Sequence, residues 1–269
     1  MSAVDNPIHR ALFSLPPIRP SSSTELVVPD MPAQKVVTGD IEVDAVLWLR
    51  EVISTGQADL IQKAKTAAAQ IKTPLKELQK RYSDYLQRAH PGNWVAGMAS
   101  IGFADLDELA TSATTRAARR HEAQARFGAG IFDDTPAEKF CFEALKRVRK
   151  GARGWGFDVA QVDKRFDAHP EQRPSSLTDC IAELTYWQEL YWLRRAVGDC
   201  GDTSEQVNAR EDYVFRMLSR IPRRSADEAA EVFRYLTSND GMDRAHTGAI
   251  ILNLIGAPEP YKAKQGDDE

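Results

Sequence analysis

Cysteine is scarce in this sequence, and the cysteines present show no pairing pattern. The chain has 269 residues and three cysteines, Cys141, Cys180 and Cys200, and no two of them form a Cys-x-x-Cys pair. An odd number of cysteines without such spacing argues against a disulfide framework. Because disulfides persist in oxidising compartments, the sequence favours a reducing one.

Long hydrophobic runs are also missing. A membrane-spanning helix needs roughly 18 or more apolar residues in succession, and the longest apolar run here, residues 249–255, already contains Asn253. The N-terminal residues lack the basic start, apolar stretch and small-residue cleavage site of a signal peptide. We therefore expect no membrane contact and a cytoplasmic location.

The sequence contains none of the compact motifs that identify common catalytic or cofactor sites. It has no Gly-rich phosphate loop, no Gly-x-Ser-x-Gly elbow and no His-Glu-x-x-His pair. Residues 151–156 (GARGWG) resemble a dinucleotide fingerprint, but they follow a predicted helix and not a strand. The five histidines are scattered, whereas a zinc site needs three or four converging ligands. We expect no metal and no cofactor. A non-enzymatic protein is favoured, and an enzyme with an unrecognised catalytic site is the less favoured alternative.

Strand patterns are absent as well, and helical periodicity dominates from residue 41 onward. Apolar residues recur every three or four positions between Gly and Pro breaks, without persistent alternation. The sequence therefore predicts an all-α protein, an irregular assembly of about eight or nine helices. Six prolines within residues 1–40 disfavour helix and predict an extended, flexible N-terminal arm. The alternative is a segment that docks on a partner or on the body of the protein itself. We divide the chain into this arm (1–40), helical subdomains at 41–130 and 131–256, and a polar tail (257–269).

Local signals predict where several helices begin. Thr135 and Ser225 each precede a glutamate three residues later, which is the arrangement of a capping box. Thr73 followed by Pro74 predicts a helix with threonine as its N-cap. The helix that begins after Thr135 is expected to reach about Lys150.

One predicted helix, residues 178–197, is apolar around nearly its whole circumference. Trp187 and Tyr191 lie on one side of the helical wheel, and Tyr186 and Leu190 lie on the other. A helix of this kind is usually buried at the centre of a protein. The alternative is that its aromatic side chains line a groove for a ligand or a peptide.

Local charge is the most directional functional signal. The net charge of −4 and the pI near 5.8 do not point to nucleic acid as a partner of the chain as a whole. Residues 113–153, however, contain ten Lys or Arg against five Asp or Glu. The ten cations are Arg116, Arg119, Arg120, Arg126, Lys139, Lys146, Arg147, Arg149, Lys150 and Arg153.

We interpret these cations as one basic surface formed by two successive helices. Clustered cations gain affinity for phosphates by releasing counterions. The surface therefore predicts a non-enzymatic binding or regulatory protein that acts on nucleic acid or on a nucleoprotein complex. An ordinary solvated helix face, or a site for an acidic protein partner, explains the same residues. A protein–protein adaptor or inhibitor without nucleic-acid contact is thus the alternative function, and the oligomeric state stays open.

A second and weaker nucleic-acid signal lies in residues 64–86. Two predicted helices flank a short turn there, as in a helix-turn-helix motif, and Lys76 and Lys80 lie on the second helix. Lys72 stands where the motif often carries glycine. An ordinary helical hairpin is therefore favoured over a DNA-binding motif.

Overall fold

The computed structural model describes residues 5–19, 31–93, 95–150, 156–239 and 241–257. Within these ranges the chain forms eleven α-helices and no β-strand, which confirms the all-α class. The helices are α1 (Pro7–Leu12), α2 (Ile41–Ser54), α3 (Ala58–Ala68), α4 (Leu75–Ala89), α5 (Leu106–Phe127), α6 (Pro136–Ala144), α7 (Val159–Asp167), α8 (Leu177–Val197), α9 (Glu205–Arg220), α10 (Ala226–Ser238) and α11 (Thr247–Ile255). The count exceeds the expected eight or nine because α1 and α7 were not predicted from the sequence.

The chain divides by its internal contacts into two compact units. The larger unit contains Met1–Pro17 and Arg126–Glu269, and the smaller unit contains Ile18–Ala125. The larger unit is therefore discontinuous in sequence. The subdivision at residues 40 and 130 stays a prediction. The predicted polar tail lies outside the described residues from residue 258 onward.

In the smaller unit, α2 packs against α3 and α4. Its buried face presents apolar residues at helical spacing: Val43, Val46, Leu49, Val52 and Ile53. Leu78 of α4 and Phe103 are buried in the same part of the core. After α2, Gly56 has a φ of +75°, and a side chain at this position would meet the carbonyl oxygen of Ala113 at 2.7 Å. Glycine therefore allows both the left-handed turn and the close approach of α5.

The start of α4 differs from the predicted one. The N-cap is Pro74, with no side-chain hydrogen bond, and the helix begins at Leu75. The hydroxyl of Thr73 donates instead to Glu42 Oε2 of α2, at 2.7 Å. A tertiary hydrogen bond has replaced the expected local cap, so the proposed role of Thr73 was wrong.

Two predicted capping boxes have different outcomes. Thr135 and Glu138 form the complete box at the start of α6, with side chain and backbone bonded in both directions. Ser225 accepts a hydrogen bond from the backbone amide of Glu228, as expected. The carboxylate of Glu228, however, accepts from the backbone amide of Arg224 at 2.7 Å, so this second box forms only by half.

Helix α8 lies at the centre of the larger unit, which agrees with its apolar circumference. Eleven of its 21 residues are buried, and it packs against α1, α9 and α10. Leu184 belongs to the main apolar cluster of this unit. Trp187 and Leu190 belong to a second cluster that includes Phe13 from the N-terminal segment.

The first described residues form part of this core, which matches the alternative of a docked segment and not the favoured flexible arm. Asn6 caps α1 with its side chain, and Pro7 occupies the first turn. The side chains of His9 and Phe13 are buried. The backbone amide of Asn6 also donates to Asp179 Oδ2 of α8 at 3.0 Å. The structure thus corrects the predicted arm for residues 5–13, while residues 20–30 lie outside the described residues.

Glu183 of α8 organises a fully buried polar cluster. Its carboxylate accepts hydrogen bonds from Arg210 at 2.7 and 2.8 Å and lies 2.7 Å from His9 Nε2. Burial raises the pKa of Glu183, but the charge and hydrogen bonds of Arg210 and His9 outweigh burial, and the pKa lies below its ordinary value. The guanidinium carbon of Arg210 lies 4.8–5.5 Å from four ring centroids, those of Phe13, Phe140, Phe166 and Tyr213. Since the side chains of Glu183, Arg210 and His9 have no exposed surface, we interpret the cluster as structural.

Candidate nucleic-acid interface

The segment after α6 carries four of the predicted cations on an irregular turn. Helix α6 ends at Ala144 and does not reach Lys150. Leu145 is the C-cap residue, and its side chain is buried in the main apolar cluster. Arg147 then adopts a left-handed φ of 61°. The apolar residues that predicted a longer helix therefore lie on a non-helical backbone. The exposed cations of this turn are Lys146, Arg147, Arg149 and Lys150.

Helix α7 lies directly beside this turn. The backbones of Lys150 and Phe157 form an isolated antiparallel bridge, and Lys150 Nζ lies 4.9 Å from the Phe157 ring centroid. The guanidinium of Arg165 donates to the carbonyl oxygen of Lys146 at 3.5 Å. Two exposed cations of α7, Lys164 and Arg165, thereby join those of the turn.

The end of α9 adds a third element. Asp163 of α7 accepts a hydrogen bond from Arg216 at 2.5 Å and another from Arg220 at 2.7 Å. Arg216 is nearly buried and fastens α7 to α9, whereas Arg220 is exposed. We define the basic surface of the larger unit as Lys146, Arg147, Arg149, Lys150, Lys164, Arg165 and Arg220.

Carboxylates neutralise only part of the basic surface. Lys146 pairs with Glu143, Lys150 with Glu205, and Arg220 with Asp163. Exposed ion pairs of this kind are weak in water and easily exchanged for another anion. In the part of the chain that the structure describes, the other four cations form no ion pair: Arg147, Arg149, Lys164 and Arg165.

Three of the predicted cations belong to the smaller unit. Arg116, Arg119 and Arg120 lie on α5, where Arg116 and Arg120 are exposed and Arg119 is partly exposed. The expectation that these three and the cations after α6 form a single surface stays a prediction.

The other predicted cations of the larger unit have different surroundings. Arg126 donates to the carbonyl oxygen of Pro16 at 2.6 Å and lines a shallow pocket with Arg10 and Tyr186. Lys139 is exposed on α6. Arg153 lies outside the described residues. The structure therefore brings together four of the ten predicted cations and adds Lys164, Arg165 and Arg220, which the sequence analysis did not single out.

The remaining candidate chemistry is limited in the described ranges. No group of three or more His, Cys, Asp or Glu side chains there is placed to hold a metal ion. Burial raises the pKa of the thiols of Cys141 and Cys180, which suppresses their nucleophilic form. Cys200 is partly exposed. In the same ranges, no helix combines the length and the apolar character needed to cross a membrane.

No family model, curated protein or solved structure matches this chain. We therefore infer its function from the geometry of its own residues.

Proposed function

We propose that this chain is a non-enzymatic binding protein that contacts the phosphates of nucleic acid, free or within a nucleoprotein complex, through the basic surface. The observation that carries the proposal is the group of four cations without ion pairs on the turn after α6 and on α7. The hydrogen bond from Arg165 to the carbonyl of Lys146 supports the side-by-side position of the two segments.

Phosphates match this surface better than an isolated acidic side chain does. The guanidinium groups of Arg147 and Arg149 are each able to donate two parallel hydrogen bonds to one phosphate. Lys164 and Arg165 add two charges on the neighbouring helix. Nucleic acid carries condensed counterions that these cations release on binding, and this release is the main source of affinity in such complexes.

The first experiment titrates the full-length chain against labelled duplex DNA, single-stranded DNA and RNA, with fluorescence anisotropy as the readout. If the four cations neutralise about four phosphates, the binding constant for duplex falls about 150-fold between about 50 and about 200 mM salt. The double substitution Lys164→Gln and Arg165→Gln removes two of these contacts. It should weaken binding at low salt and reduce the salt slope by about two.

The matched control is Lys76→Gln with Lys80→Gln on α4. It makes the same change in net charge and removes the cations of the predicted helix-turn-helix motif, so it should bind like the unchanged protein. Binding lost only in this control would place the interface on α4 and refute the proposal. A third variant, Arg116→Gln with Arg120→Gln, measures the part played by α5. Undetectable binding to all three nucleic acids at low salt would also refute the proposal and favour the adaptor or inhibitor role.

A further inference from the structure

A pocket lies beside the basic surface, at the ends of α7 and α9. Its volume is about 450 Å³, which falls within the range of about 300–1,000 Å³ that is typical of small-molecule sites. Asp167, the last residue of α7, and Arg220, the last residue of α9, both line it. Because Arg220 also belongs to the basic surface, a ligand whose phosphates lie on that surface reaches the pocket directly.

Arg220 can exchange its present partner for a phosphate. Its side chain is exposed and donates to Asp163 Oδ2 at 2.7 Å. The other oxygen of Asp163, Oδ1, accepts a hydrogen bond from Arg216 at 2.5 Å. Asp163 therefore keeps a counter-ion when Arg220 turns towards a phosphate, and an exposed ion pair costs little to break.

Apolar side chains line another part of the pocket. Ile221 and Pro222 follow α9 directly, and Ile221 is partly exposed whereas Pro222 is exposed. Met217, one turn earlier on α9, also lines the pocket but is buried. The exposed apolar surface favours the face of a flat ring, and this contact does not distinguish one base from another.

Asp167 gives the pocket a means of discrimination. Its Oδ1 accepts a hydrogen bond from Tyr213 at 2.8 Å and lies 3.7 Å from Arg173 Nη1. Among the described residues, no hydrogen bond reaches its Oδ2, and the residue is exposed. A carboxylate repels a phosphate, so Asp167 requires a hydrogen-bond donor on the ligand. The exocyclic amino group of a base is such a donor.

We propose that the pocket binds an unpaired base with an exocyclic amino group, within a single strand whose phosphates lie on the basic surface. The amino group donates to Asp167 Oδ2, and a flanking phosphate contacts Arg220. The face of the ring packs on Ile221 and Pro222. Only an unpaired base can leave the stack and enter a pocket. The inference rests on the proposed function and adds to it the class of nucleic acid.

The probes are two fluorescein-labelled RNA octamers, one of cytidine and one of uridine, titrated with the full-length chain and followed by anisotropy. Cytosine carries the amino group, whereas uracil has a carbonyl oxygen at the same position. The octamers have equal numbers of phosphates, so counterion release is equal and the ratio of their Kd values reports on the base. One hydrogen bond to the carboxylate should make the cytidine octamer bind about tenfold more tightly.

Asp167→Asn tests the contact itself. Asparagine keeps an oxygen that accepts from Tyr213, but its amide nitrogen donates and therefore suits the carbonyl oxygen of uracil. The preference for cytidine should fall from about tenfold to less than about twofold.

The matched control is Glu143→Gln, which removes a carboxylate that pairs with Lys146 of the basic surface. It makes the same change in net charge, so it should tighten the binding of both octamers alike and keep the preference for cytidine. Circular dichroism checks that both variants are folded, and the comparison of octamers in the unchanged protein requires no variant.

The outcomes separate this inference from the proposed function. Equal affinity of the unchanged protein for both octamers would overturn the pocket but leave the contact with phosphates standing. A preference for cytidine that survives Asp167→Asn, or that disappears in Glu143→Gln, would also overturn the pocket. Undetectable binding of both octamers at low salt would overturn the inference, and the proposed function would fail with it if duplex DNA did not bind either.

Discussion

Replacing Glu183 by glutamine tests the buried cluster at the centre of the larger unit. The carboxylate of Glu183 accepts two hydrogen bonds from Arg210, and His9 approaches it at 2.7 Å. Glutamine preserves the shape of the side chain but removes its charge. Arg210 would then stay buried without its counter-ion, and we expect a large loss of folding stability.

The size of the loss follows from what Arg210 retains. Breaking a buried ion pair by removing one partner costs roughly 3–5 kcal/mol. Arg210 keeps a hydrogen bond to the carbonyl of Gln172 at 2.8 Å and its four aromatic neighbours. We therefore expect the lower end, about 3 kcal/mol. Glu143→Gln is the matched control, because it breaks an exposed pair with Lys146 that contributes about 0.5 kcal/mol or less.

Urea unfolding followed by tryptophan fluorescence measures this difference, since Trp187 Nε1 donates to Glu183 at 3.2 Å. At a slope of about 1–3 kcal/mol per molar urea, the midpoint should fall by about 1–3 M. Adding Arg210→Met removes the uncompensated charge, so the double variant should unfold at a higher urea concentration than Glu183→Gln alone. A loss no larger than that of Glu143→Gln would refute the view that the charge of Glu183 is needed to hold Arg210.

Two further predictions concern acid and thiol reagents. Burial raises the pKa of Glu138 and of Asp179, but hydrogen bonds from Arg194 to Glu138 and from Arg10 to Asp179, with others from backbone amides, lower it more, so both lie below their ordinary values of 4.5 and 3.8. Their stabilisation is fully present above those ordinary values and is lost as the pH falls below them and through the lower pKa values of the folded protein. Melting temperatures should therefore be level from about pH 7 to about pH 5 and then fall, less steeply in Asp179→Asn. In the native protein only Cys200 should react rapidly with a thiol reagent, because Cys141 and Cys180 are buried and their thiols have raised pKa values. Two or more fast thiols before unfolding would contradict the burial of these cysteines.

Features set by neighbouring residues were predictable from the sequence. The capping box at Thr135 forms as predicted because its donors and acceptors lie within four residues. The central position of α8 follows from apolar side chains on every side of the helix, and eleven of its 21 residues are buried, although Tyr191, Trp192 and Val197 are exposed. Both signals depend on local pattern alone.

Features set by distant partners were missed. Asn6 and Pro7 carry an ordinary helix-start signal, but a helix as short as α1 depends on tertiary contacts, and its partner Asp179 lies 173 positions away. The early end of α6 has the same origin. Leu145 fits the periodicity of a longer helix, yet it packs with Val162 and Phe166 of α7 from a turn.

The candidate interface shows the same limit. Lys164 and Arg165 are adjacent on an amphipathic stretch, a pattern that predicts an exposed basic helix face. Nothing in the sequence places that face beside Lys146, because the contact depends on the path of the chain between them. The basic surface is therefore a product of the fold, and only its parts were visible in the sequence.

The discontinuity of the larger unit constrains how the protein forms during synthesis. Residues 1–17 leave the ribosome before the smaller unit does, but the partners of His9 and Phe13 lie on α8 and α9. Helix α1 therefore has no docking site until the chain has been translated past Arg210. In that interval its apolar side chains stay exposed to solvent. A fragment that starts at Arg126 would keep Glu183 and Arg210 but never acquire the helix that covers them.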